Sequence, residues 1–332
     1  MLEASPGRNF SHSSFVFRGF PELQKYRRLL ALPFSVSYLV VLLGNCVLVY
    51  VIRRVESLHS PMFLLVCMLC VVDVLVVTAI IPNMLLGLLF DWDQISLAGC
   101  LTQMFFTHFL SSLESTLLLA MALDRYVAIC RPLRYAEIVN SSMFVKLLLF
   151  TLVRSCSIMA TLVGLAGSLW FCGSNTIRHG YCDHMALVSL ACDSTEKNSA
   201  AGLAVIICFV GVDIPLIFFS YMKILSVVLR AADGEDRWKA FHTCGTHLMV
   251  MMCFYLVGSV TFLSHNLNIS IPTDANTFMG LMYILFPATV NPVIYGMRTK
   301  EIRNGFFRIF KVRVKKAMTM KVSPAGKGQT NF

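Results

Sequence analysis

Seven long stretches of this chain are almost free of charged residues. They cover residues 29–52, 62–90, 101–123, 147–177, 200–229, 241–263 and 278–297. Each is long enough to cross a bilayer core about 30 Å thick, which takes roughly 20 apolar residues in a helix. The pattern does not favour a transmembrane barrel, whose strands read as alternating segments of about 10 residues. The pattern therefore predicts an all-α membrane protein built as a bundle of seven transmembrane helices.

The composition favours lipid as the surrounding solvent. Of the 332 residues, 57% are hydrophobic and 14% are charged, whereas soluble domains are about 45–50% apolar and 25% charged. The net charge of +10 then indicates a basic inner face against anionic lipid. Nothing in this balance points to nucleic acid as a partner.

The lysines and arginines set the orientation of the bundle. Twenty of the 28 lie in segments on one side of the predicted spans and seven on the other, and the richer side is cytoplasmic by the positive-inside rule. We therefore expect a multi-pass protein of the plasma membrane. Its predicted parts are an extracellular segment at 1–28, the bundle at 29–297 and a cytoplasmic tail at 298–332. Apolar and basic residues alternate at 300–310 and predict an amphipathic helix on the inner leaflet.

Four cysteines are predicted on the outer side of the membrane. They are Cys100, Cys172, Cys182 and Cys192. An even number of cysteines in an oxidising compartment favours disulfides, with three ways of pairing. A zinc site with His179 or His184 is the alternative, although the spacing matches no tight zinc pattern. Asn9 begins an Asn-Phe-Ser sequon and is a predicted glycosylation site.

A polar stripe runs along the third predicted span. Its members are His108, Ser111, Ser112 and Ser115. Because a helix has 3.6 residues per turn, this spacing places them on one face. The stripe is expected to face other helices, either around a ligand or in simple interhelical packing. An enzymatic pair of His108 with Ser111 has no third orienting group, so no enzyme is predicted.

Charged residues inside the spans are costly and are candidates for function. Asp73 and Glu114 fit a cation site, a proton path or a pair with one protonated carboxyl. Asp213 and Arg154 have no partner that the sequence identifies. Buried charges also suggest a transporter or channel, but the chain has no inverted repeat or pair of broken helices.

Four motifs carry a resemblance to a known family. They are LHSPMFLLV at 58–66, MALDRYVAICRPLRY at 121–135, KAFHTCGTH at 239–247 and NPVIYGMRTKEIR at 291–303. In this order they resemble the odorant receptors among the rhodopsin-like G-protein-coupled receptors. The long second outer loop, which ends in LACD at 190–193, is most similar to the class I (fish-like) branch.

The resemblance implies a receptor that binds a small volatile odorant and activates a stimulatory G protein of the olfactory type, which raises cyclic AMP. The alternative is a transporter or channel that uses the buried carboxylates. The disulfides implied by the family are Cys100–Cys182 and Cys172–Cys192. The family also implies a structural sodium ion at Asp73 and Glu114, with a shared proton as the alternative, and no other cofactor.

The implied odorant pocket lies between the third, fifth and sixth spans, beneath the outer loop. Its expected residues are His108, Ser111, Ser112, Ser115, His184, Gly202, Ile206, Tyr255, Ser259, Phe262 and His265. The expected coupling and switch residues are Asp124, Arg125, Tyr126, Tyr221, Lys239, Asn291, Pro292 and Tyr295. Physically, Arg125 can pair with Asp124 in one state and be released to a partner in another. Pro292 lacks a backbone donor and can kink the seventh span.

One departure from the family bears on the ligand. Many class I receptors carry an arginine directly after the histidine at the outer end of the sixth span, where this chain has Asn266 after His265. The fixed cation of those relatives is missing at this position. We therefore expect a neutral, moderately polar volatile, such as an alcohol, aldehyde, ketone or ester, in preference to a carboxylic acid.

Overall fold

The computed structural model describes residues 11–231 and 271–309, together with positions 234, 237, 238, 245, 248, 251, 255, 256 and 259. Its long helices are Arg27–Arg54, Pro61–Phe90, Leu97–Cys130, Ser141–Gly167, Glu196–Ala231 and Thr273–Arg298. All six are long and apolar enough to cross a membrane. They correspond to the first to fifth and the seventh predicted spans, and those names are used below. The sixth predicted span, 241–263, lies largely outside the described residues.

Shorter elements connect these helices. The 3-10 turns are Gln24–Tyr26, Glu56–Leu58 and Pro132–Arg134, and the short helices are Tyr135–Ile138 and His184–Val188. The strands are β1 (Ser14–Phe17), β2 (Gln94–Ser96) and β3 (Thr176–Ile177). Residues 300–309 are also helical, within the segment predicted as an amphipathic helix. Ile302 of that helix is buried and Phe307 is exposed.

Two spans begin at polar caps, as their sequences favour. The Ser96 side chain accepts a hydrogen bond from the Gly99 N–H at 3.1 Å, and Asn140 Oδ1 accepts one from the Met143 N–H at 2.9 Å.

The fourth span ends at Gly167, so the prediction that it continues to residue 177 is wrong. Beyond Gly167 the chain enters the outer loop, where the apolar Phe171 and Ile177 are buried in the outer cluster.

The third span occupies the centre of the bundle. It packs against the second, fourth and fifth spans, while the seventh packs against the first and second. The buried Asn45 side chain ties the first span to the seventh, because its amide donates to the Ala288 carbonyl at 2.9 Å. Outward-facing chains such as Leu43, Phe150 and Phe218 are exposed. Such a surface of apolar side chains suits helices that face lipid.

A small sheet covers the outer side of the bundle, with the strand order β2-β1-β3. β1 is antiparallel to β2 and parallel to β3. Phe15 of β1 is fully buried and packs edge-to-face on Phe171, with ring centroids 5.3 Å apart. A Cβ on Gly19 would lie 2.8 Å from the Gly180 Cα, so only glycine permits this close approach of two backbones. The N-terminal segment is thereby held against the long outer loop.

Candidate functional site

A cavity of about 620 Å³ lies among the third, fourth, fifth and seventh spans, beneath the long outer loop. Nine residues of the expected pocket line it: His108, Ser111, Ser112, Ser115, His184, Gly202, Ile206, Tyr255 and Ser259. The other two, Phe262 and His265, lie outside the described residues, as does Asn266. The structure therefore gathers the described part of the expected set around one space.

The members of the polar stripe differ in the partners they have. The Ser112 hydroxyl donates to the Phe109 carbonyl of its own helix at 2.8 Å, so its hydrogen is already used. The buried His108 Nε2 has no hydrogen-bond partner among the described residues. Because His108 lines the cavity, its ring nitrogen is placed to bond a polar group of a ligand.

A hydrogen-bond network closes the inner end of the cavity at Ser115. The Ser115 hydroxyl donates to Asp213 Oδ2 at 2.6 Å and lies 2.7 Å from the Tyr255 hydroxyl oxygen. A hydroxyl carries one hydrogen, so Tyr255 is the donor in the second bond. Arg154 Nη1 lies 3.6 Å from Asp213 Oδ1, and its Nη2 donates to the Cys208 carbonyl at 2.5 Å. Arg154 and Asp213, which had no assigned partner, are thus partners of each other.

Other helices contribute cavity residues that the sequence analysis missed. They include Met159 and Leu162 of the fourth span, Met185 of the outer loop, and Gly280 and Tyr283 of the seventh span. These residues belong to no polar stripe. Only the packing of the helices shows that they face the same space, so the sequence carries no signal for them.

Two fixed charges, Asp183 and Arg178, line the cavity among the described residues. Asp183 caps the short helix His184–Val188, where its Oδ2 accepts hydrogen bonds from the Met185 N–H at 3.0 Å and the Ala186 N–H at 3.1 Å. Burial by itself would raise the pKa of Asp183, but three neighbouring histidines and the Ala186 N–H bring that pKa below its ordinary value. These histidines are His108, His179 and His184. Asp183 is therefore an ionised carboxylate.

Two disulfides hold the outer loop in place. Cys100 is bonded to Cys182, with Cα atoms 5.4 Å apart, and Cys172 to Cys192, with Cα atoms 5.9 Å apart. These bonds use all four outer cysteines, so no thiolate is left for the zinc alternative. The Cys182 N–H also donates to Gln103 Oε1 at 3.0 Å. The loop is thus fixed to the start of the third span, just before the residues that line the cavity.

Two further buried carboxylates lie in the second and third spans. Asp73 and Glu114 are 0% and 2% exposed. Asp73 Oδ2 accepts a hydrogen bond from the Asn291 amide at 2.9 Å, which links the second span to the seventh. Asp73 Oδ1, Glu114 Oε1 and Asn291 Oδ1 have no hydrogen-bond partner among the described residues. Oxygen atoms of this kind suit a hard cation, although the described residues hold no group of three metal-ligating His, Cys, Asp or Glu side chains.

At the cytoplasmic end of the third span, Asp124 is bonded to a residue that the sequence analysis did not select. The Tyr135 hydroxyl donates to Asp124 Oδ1 at 2.7 Å. Burial and this hydrogen bond raise the pKa of Tyr135, so the hydroxyl stays protonated and keeps donating. The described residues include no ion pair between Asp124 and Arg125, and Arg125 is half-buried.

The remaining coupling residues lie along the inner half of the bundle. Tyr221 and Tyr295 are buried, Tyr126 is half-buried, and the Tyr295 hydroxyl lies 4.0 Å from Met121 Sδ. Pro292 is inside the seventh helix, as the motif predicts. Lys239 and the sequon residue Asn9 lie outside the described residues.

Comparison with known proteins gives a consistent result over nearly the whole chain. The family model for olfactory receptors matches residues 34–313. The human olfactory receptor 51E2 is 40% identical over 304 residues, covering 92% of this chain and 95% of that protein. The human olfactory receptor 52K2 is 37% identical, covering 90% and 95%, and the human olfactory receptor 51E1 is 39% identical, covering 94% and 98%.

Proposed function

The chain belongs to the olfactory receptor family, and from that premise we propose that its cavity binds a small volatile odorant and that binding activates a stimulatory G protein of the olfactory type. Membership already establishes the coarser statements. The protein is a seven-helix, multi-pass membrane receptor for odorants and is not an enzyme. The proposal adds the place of binding, the G-protein type and the rise in cyclic AMP.

The observation that carries the proposal is the cavity of about 620 Å³ beneath the disulfide-held loop. Sites for small molecules are concave, mostly apolar and supplied with a few convergent polar groups. Here the apolar walls include Met159 and Phe209, and the polar groups include His108 and Ser111. A volatile odorant fits both the size and the chemistry of this space.

The inner end of the cavity supplies a route from the ligand to the helices. Ser115 and Tyr255 line the cavity, and Ser115 also bonds Asp213 of the fifth span. A ligand that displaces or bonds Tyr255 therefore changes contacts among the third span, the fifth span and position 255 of the predicted sixth span. Such a change is what a two-state receptor needs, since a ligand shifts a conformational equilibrium only by contacts that differ between the states.

The transporter alternative rested on the buried charges of Asp73, Glu114, Asp213 and Arg154. Three of these four have partners within the bundle, because Asp213 contacts Ser115 and Arg154, and Asp73 accepts a hydrogen bond from Asn291. These contacts hold the helices together and require no transported ion.

The test is a pair of matched serine-to-leucine substitutions, assayed as odorant-evoked cyclic AMP in cells that co-express the olfactory G protein. Ser111→Leu fills part of the cavity and should weaken responses by roughly tenfold or more, about 1.4 kcal/mol. Ser157→Leu makes the same change on an exposed position of the fourth span and should leave potency within about twofold. Surface expression is measured for both. Equal loss in the two variants would place the odorant site elsewhere.

We also propose that Asp73 and Glu114 hold a sodium ion that stabilises the resting state. Support comes from their buried oxygens without described hydrogen-bond partners, which the ion's positive charge would neutralise. Replacing sodium chloride with choline chloride should lower the melting temperature of the purified receptor, and Asp73→Asn should remove that dependence. If the melting temperature of Asp73→Asn still depends on sodium, then sodium acts at another site. The shared proton would then be the remaining explanation for Asp73 and Glu114.

A further inference from the structure

The two fixed charges that line the cavity among the described residues are used differently. The Asp183 carboxylate is committed to the loop, because it accepts two backbone N–H groups at the start of the helix His184–Val188. Arg178 makes no hydrogen bond, ion pair or ring contact with any other residue that the structure describes. Of the two charged side chains that the structure places on the cavity wall, the Arg178 guanidinium is thus the one without a described partner.

Arg178 directly follows strand β3 and is exposed. Successive side chains of a strand point to opposite faces. Ile177 is fully buried in the outer cluster with Phe15, while Thr176 and Arg178, on either side of it, line the cavity. β1 holds this register, because the Arg18 N–H donates to the Ile177 carbonyl at 2.8 Å. Arg178 is therefore an exposed cation at the cavity wall, next to a residue that the sheet holds in place.

The start of the seventh span adds partial positive charge near the same end of the cavity. Thr273 and Asn276 line the cavity, and the helix begins at Thr273 without a side-chain cap. The first N–H groups of a helix lack intrahelical acceptors and carry partial positive charge. Asp274, in the first turn, offsets part of this field, but it does not line the cavity, and its Oδ1 accepts a bond from the Glu22 N–H at 3.4 Å.

We propose that Arg178 makes the cavity selective for small ligands that carry an anionic group, of which a carboxylate is the simplest. This inference rests on the proposed function, because it takes the cavity to be the ligand site. A guanidinium presents a planar set of donors that matches a carboxylate in a bidentate pair. The neutral ligand expected from the sequence followed from the missing cation at Asn266, and Arg178 supplies a cation from the outer loop instead. Thr176 and Asn276 also line the cavity and carry neutral polar groups.

The experiment measures binding directly on the purified receptor in lipid nanodiscs. Butanoate, hexanoate and octanoate are each compared with the alcohol of the same length by the ligand-dependent rise in melting temperature at neutral pH. The variants are Arg178→Gln, Arg178→Lys and, as a matched control, Arg18→Gln. Arg18 is also exposed on the outer side but does not line the cavity. Melting temperatures without ligand check that each variant is folded.

We expect each carboxylate to bind the wild-type receptor more tightly than its alcohol. Arg178→Gln should weaken carboxylate binding roughly tenfold and alcohol binding less than twofold, since tenfold is the scale of one charge-assisted pair. Arg178→Lys should retain part of the preference, because it keeps the charge and loses the planar fork. Arg18→Gln should change neither class.

Three outcomes would overturn the inference. They are a carboxylate that binds no better than its alcohol, an equal loss of both classes in Arg178→Gln, and an equal loss in Arg18→Gln. Alcohol binding that is blocked by Ser111→Leu would in those cases keep the cavity as the ligand site. Because no G protein is present, a failure of coupling cannot imitate a failure of Arg178.

Discussion

Tyr135 holds the carboxylate that would otherwise be the nearest partner of Arg125. It lies just after the third span, in a short helix that an exposed Arg134–Glu137 ion pair also supports, with the two atoms 3.0 Å apart. While the Tyr135 hydroxyl donates to Asp124, one carboxylate oxygen is occupied. We propose that this contact leaves Arg125 more available to a cytoplasmic partner and so makes the loop part of the balance between the two expected states of the Asp-Arg pair.

Tyr135→Phe should weaken coupling to the G protein. Without the hydroxyl, a mostly buried Asp124 oxygen loses its donor, and the carboxylate turns to Arg125 for compensation. The expected change is about 1 kcal/mol, or roughly fivefold in the equilibrium between the states. Ligand-evoked cyclic AMP at equal surface expression measures it. Tyr38→Phe, which removes a hydroxyl bonded to Thr78 at 3.2 Å, is the control, and an undiminished Tyr135→Phe response would contradict this role.

Single residues inside the spans show how far sequence reasoning reaches. The sequence marks Arg154 and Asp213 as unusual, because charges are rare in transmembrane helices. It does not pair them, since they lie on different spans and their contact depends on how the fourth and fifth helices pack. Sequence alone identifies which residue needs a partner, and packing decides which partner it meets.

At the scale of one helix, the third span could be interpreted well from its spacing. His108, Ser111 and Ser115 share a face because the helical repeat is fixed, and they share the cavity in the structure. The fourth span was interpreted less well, since apolar residues after Gly167 were assigned to lipid. Phe171 and Ile177 are buried against β1 instead. Hydropathy cannot separate these two environments, because both exclude water.

The outer sheet was not predicted because its strands are two to four residues long and far apart in sequence. Phe15 of β1 is 0% exposed and packs in the outer cluster with Phe171 and Ile177. Neither a four-residue strand nor its pairing with distant partners leaves a periodic signal. The segment at 1–28 was therefore expected to be only a polar extension.

Phe15→Ala should loosen the sheet without unfolding the bundle. Removing a buried phenylalanine costs about 3 kcal/mol or more, but the outer cluster in which Phe15 packs reaches only the outer end of the third span, at Cys100 and Met104. We expect faster hydrogen exchange at 94–96 and 176–177, with unchanged exchange in the inner half of the third span. Phe17→Ala, at a half-buried position of the same strand, should give a smaller effect. Exchange that is equally fast in both variants would contradict the anchoring role of Phe15.

Across the whole molecule, the two proposed activities lie at opposite ends of one helix. Ser115 lies at the inner end of the cavity and Arg125 at the cytoplasmic end, about 15 Å apart along the third span at 1.5 Å per residue. Among the described residues, those that line the cavity do not include Asp124 or Arg125. Ligand binding and G-protein activation should therefore be separable by mutation.

Arg125→Ala should abolish the ligand-evoked rise in cyclic AMP and leave ligand binding within about threefold of the wild type. The substitution removes the cation proposed to contact the G protein, while His108, Ser111 and the network at Ser115 remain in place. Binding is measured by thermal shift in nanodiscs, and signalling in cells with matched surface expression, because a trafficking defect would imitate lost coupling. A variant that still raises cyclic AMP normally would remove Arg125 from the coupling mechanism. Loss of ligand binding together with loss of signalling would show that the two functions are not separable, because Arg125 would then be needed to keep the cavity formed.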